Sequence, residues 1–162
     1  MRNRFAVTFG VGLVAVAALV AGFVYMGRGA HIEVKGGFLK VRTAPLDEHS
    51  SIAVVDFRFT NPADYPFVVR TVTLILEDGS GAKYEGASVS EVDTDRLFDG
   101  IPLLGRKYNT TLIARDKIKA HDAQDRMIAA RFEVPESQLE KRKRLSIRIE
   151  EVDGAISEIS EK

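Results

Sequence analysis

SIAVVDFRFTNPADYPFVVRTVTLILED, Ser51 to Asp78, holds two β-type runs on either side of a proline-bracketed turn. In the first run Val55, Phe57 and Phe59 fall on one face and Asp56, Arg58 and Thr60 on the other, the pattern of a half-buried strand. Pro62 and Pro66 cannot donate to a sheet ladder, and Asn61, preceding a proline, is held extended. The chain therefore leaves the strand at Asn61, turns through Ala63-Asp64-Tyr65 and re-enters a strand after Pro66. Asn and Asp side chains close such turns on nearby backbone N–H groups. A structural turn built on Asn61, Pro62, Asp64 and Pro66 thus accounts for these residue types without a binding or catalytic loop. On that reading Asn61→Ala costs about 1 kcal/mol, the scale of one lost side-chain to backbone bond.

The same alternation extends outward in both directions. HIEVKGGFLKVRT (His31–Thr43) reads as short β-type runs around a Gly36-Gly37 turn, and Phe67–Glu77 is a β-branched run ending in the turn Asp78-Gly79-Ser80-Gly81. AKYEG (Ala82–Gly86) and NTTLIA (Asn109–Ala114) read as short strands. MIAARFEV places Ile128, Ala130, Phe132 and Val134 at alternate positions, and RLSIRIEEV does the same with Leu145, Ile147 and Ile149. About seven or eight strands, with turn residues between them and little helical periodicity, predict an all-β fold: an immunoglobulin-like or fibronectin-like antiparallel β-sandwich over residues 33–156. PESQLEKRKR (Pro135–Arg144) is the helical candidate, a short crossover with proline and glutamate in its first turn and bases in its last. Residues 157–162, the end of ISEISEK, are expected to form a flexible tail. A domain of about 130 residues buries roughly two thirds of its unfolded surface, enough for a core without disulfide or metal.

VVDFRFTNPADYPFVVRTVTLILEDGSG (Val54–Gly81) resembles the repeat unit of late-embryogenesis-abundant proteins of the water-stress and hypersensitive-response type. That resemblance implies a sandwich fold and stress protection rather than catalysis. KIKAHDAQDRMIAARFEVPES (Lys117–Ser137) is similar to the telokin-like extracytoplasmic domains of bacteria, although Ala120-His121-Asp122 stands where that group typically has Pro-Gly. Both resemblances imply the same architecture, and neither implies an active site.

The amino end has a different character. FAVTFGVGLVAVAALVAGFVYM (Phe5–Met26) carries no charge, and as a helix it would measure about 33 Å against a hydrocarbon core of about 30 Å. This is read as a transmembrane anchor over residues 5–26, between a cytoplasmic amino terminus (1–4) and a linker (27–32). A cleaved signal peptide, with sites after Ala18 or Gly22, shares the order of bases, apolar run and small residues, but its apolar core is usually shorter. Arg2 and Arg4 before the run favour an inside amino end, with the following domain exported across an inner membrane. Tyr25 suits an interfacial anchor and equally one more residue of the span. The chain has no cysteine, so no disulfide bears on the compartment. Its 23 basic and 23 acidic residues balance, and setting Arg2 and Arg4 aside leaves a slightly acidic remainder, a poor match for nucleic acid.

Few residues suggest chemistry. His31, His49 and His121 are scattered, and with no cysteine and no H-E-x-x-H there is no zinc spacing. Asp93, Asp95 and Asp99 alternate as oxygen ligands on a calcium loop would, yet an EF-hand needs Gly and Glu where Phe98 and Leu104 stand, so an acidic turn is expected. Ser80, Ser88 and Ser90 have no histidine nearby in sequence, no G-x-S-x-G occurs, and GSGAKYEG lacks the ending of a phosphate loop. No cofactor is therefore expected. Lys141, Arg142, Lys143 and Arg144 form a basic run, read as a solvated helix end or a contact for lipid headgroups or an acidic partner. Leu97, Phe98, Ile101, Leu103 and Leu104, in a loop-like stretch, either cover one end of the core or form a partner patch. The expected function is a non-catalytic binding or accessory role in the cell envelope, with a protein partner in the same membrane. A stress-protective protein acting on membranes or unfolded proteins is the alternative, and an enzyme comes third.

Overall fold

The structure is a computed structural model that describes residue 9, residues 12–21 and residues 34–161. The chain divides into two units, Met1–His31 and Ile32–Lys162. In the first, residues 12–21 are helical, and Leu13, Val14, Val16, Leu19 and Val20 are exposed. Among the described residues no helix is long and apolar enough to cross a membrane. Arg2, Arg4, the cleavage point after Gly22, Tyr25, the linker 27–32 and His31 lie outside the described residues, as do both ends of the 5–26 span.

The second unit is a β-sandwich. Its strands are β1 (Lys35–Pro45), β2 (Ser51–Thr60), β3 (Phe67–Glu77), β4 (Lys83–Glu85), β5 (Ala87–Ser88), β6 (Lys117–Ile118), β7 (Ala123–Phe132), β8 (Arg144–Glu151) and β9 (Ile156–Ser160). One sheet has the order β1-β2-β7-β5, the other β4-β3-β8-β9, with β6 also on β3, and the paired strands run antiparallel. The alternating faces of β2, β7 and β8 meet between the sheets. Val55, Phe57 and Phe59 pack there with Leu74 and Leu76 of β3, Ile128 and Phe132 of β7, and Leu145, Ile147 and Ile149 of β8.

The chain changes sheets at Gly86, the single residue between β4 and β5. Its N–H donates to the Leu74 carbonyl at 2.8 Å, which fixes the backbone against β3. A Cβ at this position would lie 2.8 Å from both the Ala130 Cβ and the Phe132 ring, so the crossing is close enough to require glycine.

Several sequence expectations are corrected here. Gly36-Gly37 is not a turn: β1 runs through it, because a side chain on Gly36 would collide with the Arg58 carbonyl and the end of Ile159. NTTLIA forms no strand, only a single parallel bridge from Thr111 to Met127. Ile156–Ser160, expected in part to be a flexible tail, pairs along β8 as an edge strand and buries Ser157 and Ile159. The crossover helix α2 covers only Glu136–Glu140, and β8 begins at Arg144. Strand β2 is not half-buried: Ser51 to Phe57 are all buried, because an insertion between β5 and β7 covers its outer face.

That insertion contains helix α1 (Glu91–Gly100) and a 3-10 turn at Pro102–Leu104. Ser90 caps α1 by accepting from the Asp93 N–H, and the Asp93 carboxylate accepts from the Ser90 hydroxyl at 2.8 Å. The spacing is that of a capping box, but the carboxylate bonds the Ser90 hydroxyl rather than its N–H. Leu97, Phe98 and Ile101 lie half-buried against a second apolar cluster made of Ala44, Ile52, Val54, Leu104, Met127 and Ala129.

Candidate functional site

Two strand residues on the outer face of the first sheet anchor the insertion. Arg42 of β1 stands opposite Val54 and Asp56 of β2 opposite Lys40, so the two side chains meet on a diagonal. Arg42 Nη2 donates to Asp56 Oδ2 at 2.5 Å, and the side chains are 6% and 3% exposed. The guanidinium also reaches the insertion: Nη1 donates to the carbonyls of Leu104 at 2.9 Å and Arg106 at 2.7 Å, while the buried Nε has no hydrogen-bond partner among the described residues. Asn109 Nδ2 donates to the other Asp56 oxygen at 2.8 Å. The Phe98 ring lies 4.8 Å and the Tyr108 ring 5.6 Å from the guanidinium, within cation–π range. A buried ion pair is tolerable only when such additional bonds satisfy both partners. Here those bonds run to Leu104, Arg106 and Asn109, so the pair acts as a clamp on the loop.

A second, shallower cluster ties α1 to the same loop. Lys107 Nζ donates to Glu91 and, at 2.6 Å, to Asp95, while the Thr111 N–H donates to Glu91 Oε2 at 2.8 Å. Burial works to raise the Glu91 carboxyl, but the bonds from Lys107 and Thr111 outweigh it and hold the group below its ordinary range. For Lys107 burial works downward and is outweighed by Asp95 and Glu91, which hold the ammonium above its ordinary value. The stability these groups contribute is present between the two unfolded values. It is lost as pH falls through the Glu91 value or rises through that of Lys107.

The acidic residues expected to form a turn therefore sit on a helix, which separates them. Asp93 accepts from the hydroxyl of the capping Ser90 and pairs with Arg96, Asp95 pairs with Lys107, and Asp99 is exposed. Among the described residues no group of three potential metal ligands converges. Of the apolar residues 97–104, Leu97, Phe98, Ile101 and Leu104 come together on the face of the sheet rather than at an end of the core. Leu103 points outward at 75% exposure, and Tyr108 and Val92 of the same insertion are also exposed.

Half of the basic run is neutralised. Arg142 makes a two-pronged pair with Glu161, at 2.9 and 2.7 Å, and Lys143 pairs with Glu77 at 2.6 Å, while Lys141 and Arg144 are exposed. The balancing acids are thus not the Glu136, Glu140, Glu150 and Glu151 nearest in sequence; Glu150 pairs instead with Arg70.

Asn61 is fully buried at the end of β2. Its Nδ2 donates to the carbonyls of Tyr65 at 2.8 Å, Lys119 at 3.1 Å and Ile118 at 3.4 Å, and its Oδ1 accepts from the Ala63 N–H at 3.1 Å. The side chain closes its own turn and also holds the β6–β7 turn, where His121, in a left-handed conformation (φ 56), approaches Asp64 at 2.9 Å. Removing it breaks several partly buried bonds rather than one. Asn61→Ala should cost about 2 kcal/mol, more than a single lost bond; an unfolding midpoint within error of the unaltered protein would contradict this.

Glu151 is the reverse case, a buried carboxyl raised by desolvation and by neighbouring Asp153, with only the Val68 N–H working the other way. Its folded value lies above its unfolded one. Its contribution is therefore favourable at low pH and is lost as pH rises through the folded value. Glu151→Gln should raise the unfolding midpoint at pH 7, with the gain shrinking as pH falls toward the unfolded carboxylate value. A lower midpoint at pH 7 would show that the charge is stabilising.

No protein-family model matches the chain, and no curated protein does. Among solved structures it is similar to an uncharacterized β-sandwich protein from Clostridium difficile 630, at 11% identity and a TM-score of 0.40, over 80% of this chain and 86% of that one. It is also similar to an ApaG protein from Pseudomonas aeruginosa PAO1, at 10% identity and a TM-score of 0.38, over 72% of this chain and 92% of that one. A third likeness is to the archaellum periplasmic stator protein FlaG from Sulfolobus acidocaldarius, at 8% identity and a TM-score of 0.34, over 78% of this chain and 98% of that one.

Proposed function

We propose that this chain is a membrane-tethered, non-catalytic binding module whose sandwich is of the immunoglobulin type and works on the outer side of an inner membrane. The strand order supports the fold type. In chain order β1-β2-β7-β5 and β4-β3-β8-β9 correspond to the ABED and C′CFG arrangement, with the insertion lying between D and E. The uncharged run 5–26 supports the tether, and its helical part at residues 12–21 presents leucine and valine outward. Tethering in the plane of the membrane raises the effective concentration of a partner held there.

The observation that carries the binding role is the clamped insertion. The buried charges of Arg42 and Asp56 are committed to each other and to the loop backbone, which holds Leu103 and Tyr108 on a rigid platform. Apolar and aromatic side chains on a pre-organised support make good docking anchors. The test is a photoreactive residue in place of Leu103 in the full-length chain, activated in native membranes, with adducts read by mass spectrometry. One dominant protein adduct supports the module. Adducts confined to lipid, or spread evenly over many proteins, favour the stress-protective role and overturn it.

A further inference from the structure

The free edge of the first sheet has the features of a strand-addition site. Among the described residues strand β1 is paired only to β2, so alternate backbone N–H and C=O groups along it point away from the sheet. Five successive residues, Gly37 to Val41, line an open groove of about 510 Å³ whose other wall is Arg142 and Glu161. Within it the register slips between Phe38 and Lys40, and the extra residue, Leu39, is 51% exposed. The strand carries Lys35, Lys40 and the buried Arg42 but no acidic residue. Arg142 and Glu161 neutralise each other on that wall, and among the described residues no carboxylate pairs with Lys40, whose ammonium lies 5.2 Å from the Tyr108 ring while Asp56 opposite it is taken by Arg42. The groove therefore presents uncompensated positive charge beside an unpaired backbone.

Lysine, a bulge and Pro45 are features that discourage indiscriminate pairing at an edge. They also discourage a second copy in the registers that face Lys40 with Lys40 or Lys35, since like charges facing across strands are destabilising. A segment that neutralises Lys40 escapes the penalty, so repulsion of the wrong strands becomes selection of the right one. We propose that the β1 edge takes up an extended acidic segment of another protein, its main chain pairing at Gly37–Val41, an apolar side chain against Leu39 and a carboxylate on Lys40. This rests on the binding-module reading and gives the partner's chemistry, at a strand edge whose Lys40 meets the Tyr108 ring of the insertion.

The experiment uses the full-length chain in detergent micelles and two synthetic peptides of alternating valine and threonine, one carrying glutamates and the other lysines at the same places. The glutamate peptide should slow hydrogen exchange at the amides of residues 37–41 and bind about fivefold more tightly than the lysine peptide, the scale of an exposed ion pair. In Lys40→Glu the preference should reverse, which also shows that the variant is folded. The proposal is overturned by no slowing at β1 with either peptide, by equal binding of both, or by β1 protection from self-association without peptide. A protein adduct at Leu103 without β1 protection would remove the edge and leave the module. Protection at β1 with only lipid adducts at Leu103 would keep the edge and remove the insertion as the docking surface.

Discussion

Asp56→Ala should cost about 3–5 kcal/mol of folding stability, the range for removing one partner of a buried ion pair. The alanine would strand the Arg42 guanidinium, 6% exposed, among Met127, Phe98 and the loop backbone, with its carbonyl partners on Leu104 and Arg106 as the only compensation. A buried charge without its counter-charge is expensive because the surroundings cannot solvate it. The double replacement Arg42→Met with Asp56→Leu should recover much of the loss, since exchanging a whole buried pair for packed apolar side chains is often close to neutral. Hydrogen exchange locates the effect: in the single variant the amides of residues 104–111 should open first, because those carbonyls and Asn109 are what the pair holds. Equal losses in the single and double variants would mean that the pair is not the clamp described here.

Gly86→Val should cost about 3 kcal/mol, at the upper end of the usual overpacking range. Neither side of this contact can yield easily. The backbone of residue 86 is held to Leu74, and the Ala130 and Phe132 atoms it would strike belong to a central strand with neighbours on both sides. Gly86→Ala should show a smaller loss in the same direction, whereas Gly79→Ala, at a position with open space around it, should leave the midpoint nearly unchanged. A valine tolerated at residue 86 would mean that the chain can cross between sheets by a wider path.

The inner core was legible because it is local: β2, β7 and β8 each state their buried face by alternation, and those faces do meet. The outer face was not. Asp56 and Arg42 stand at positions that read as solvent-facing, and only the return of a distant segment buries them, which no period within a strand records. Helix α1 was read as an acidic turn because three aspartates interrupt its apolar residues. The signal available was at its start, where Ser90 and Asp93 have capping-box spacing. Gly36-Gly37 was misread for the opposite reason, since a glycine pair inside a strand marks a close approach as readily as a turn. The basic run could not be assigned its partners because Glu77 and Glu161 arrive from other strands and the tail.

The first sheet joins β2 to β7, strands from opposite halves of the chain, with β3, β4, β5, the insertion and β6 between them. Pairings that distant make for slow folding. While the chain emerges in order, β1 and β2 can form a hairpin early, but the other backbone edge of β2 stays unpaired until Ala123–Phe132 arrives. During that interval the most deeply buried strand of the sandwich is also an open template for mispairing.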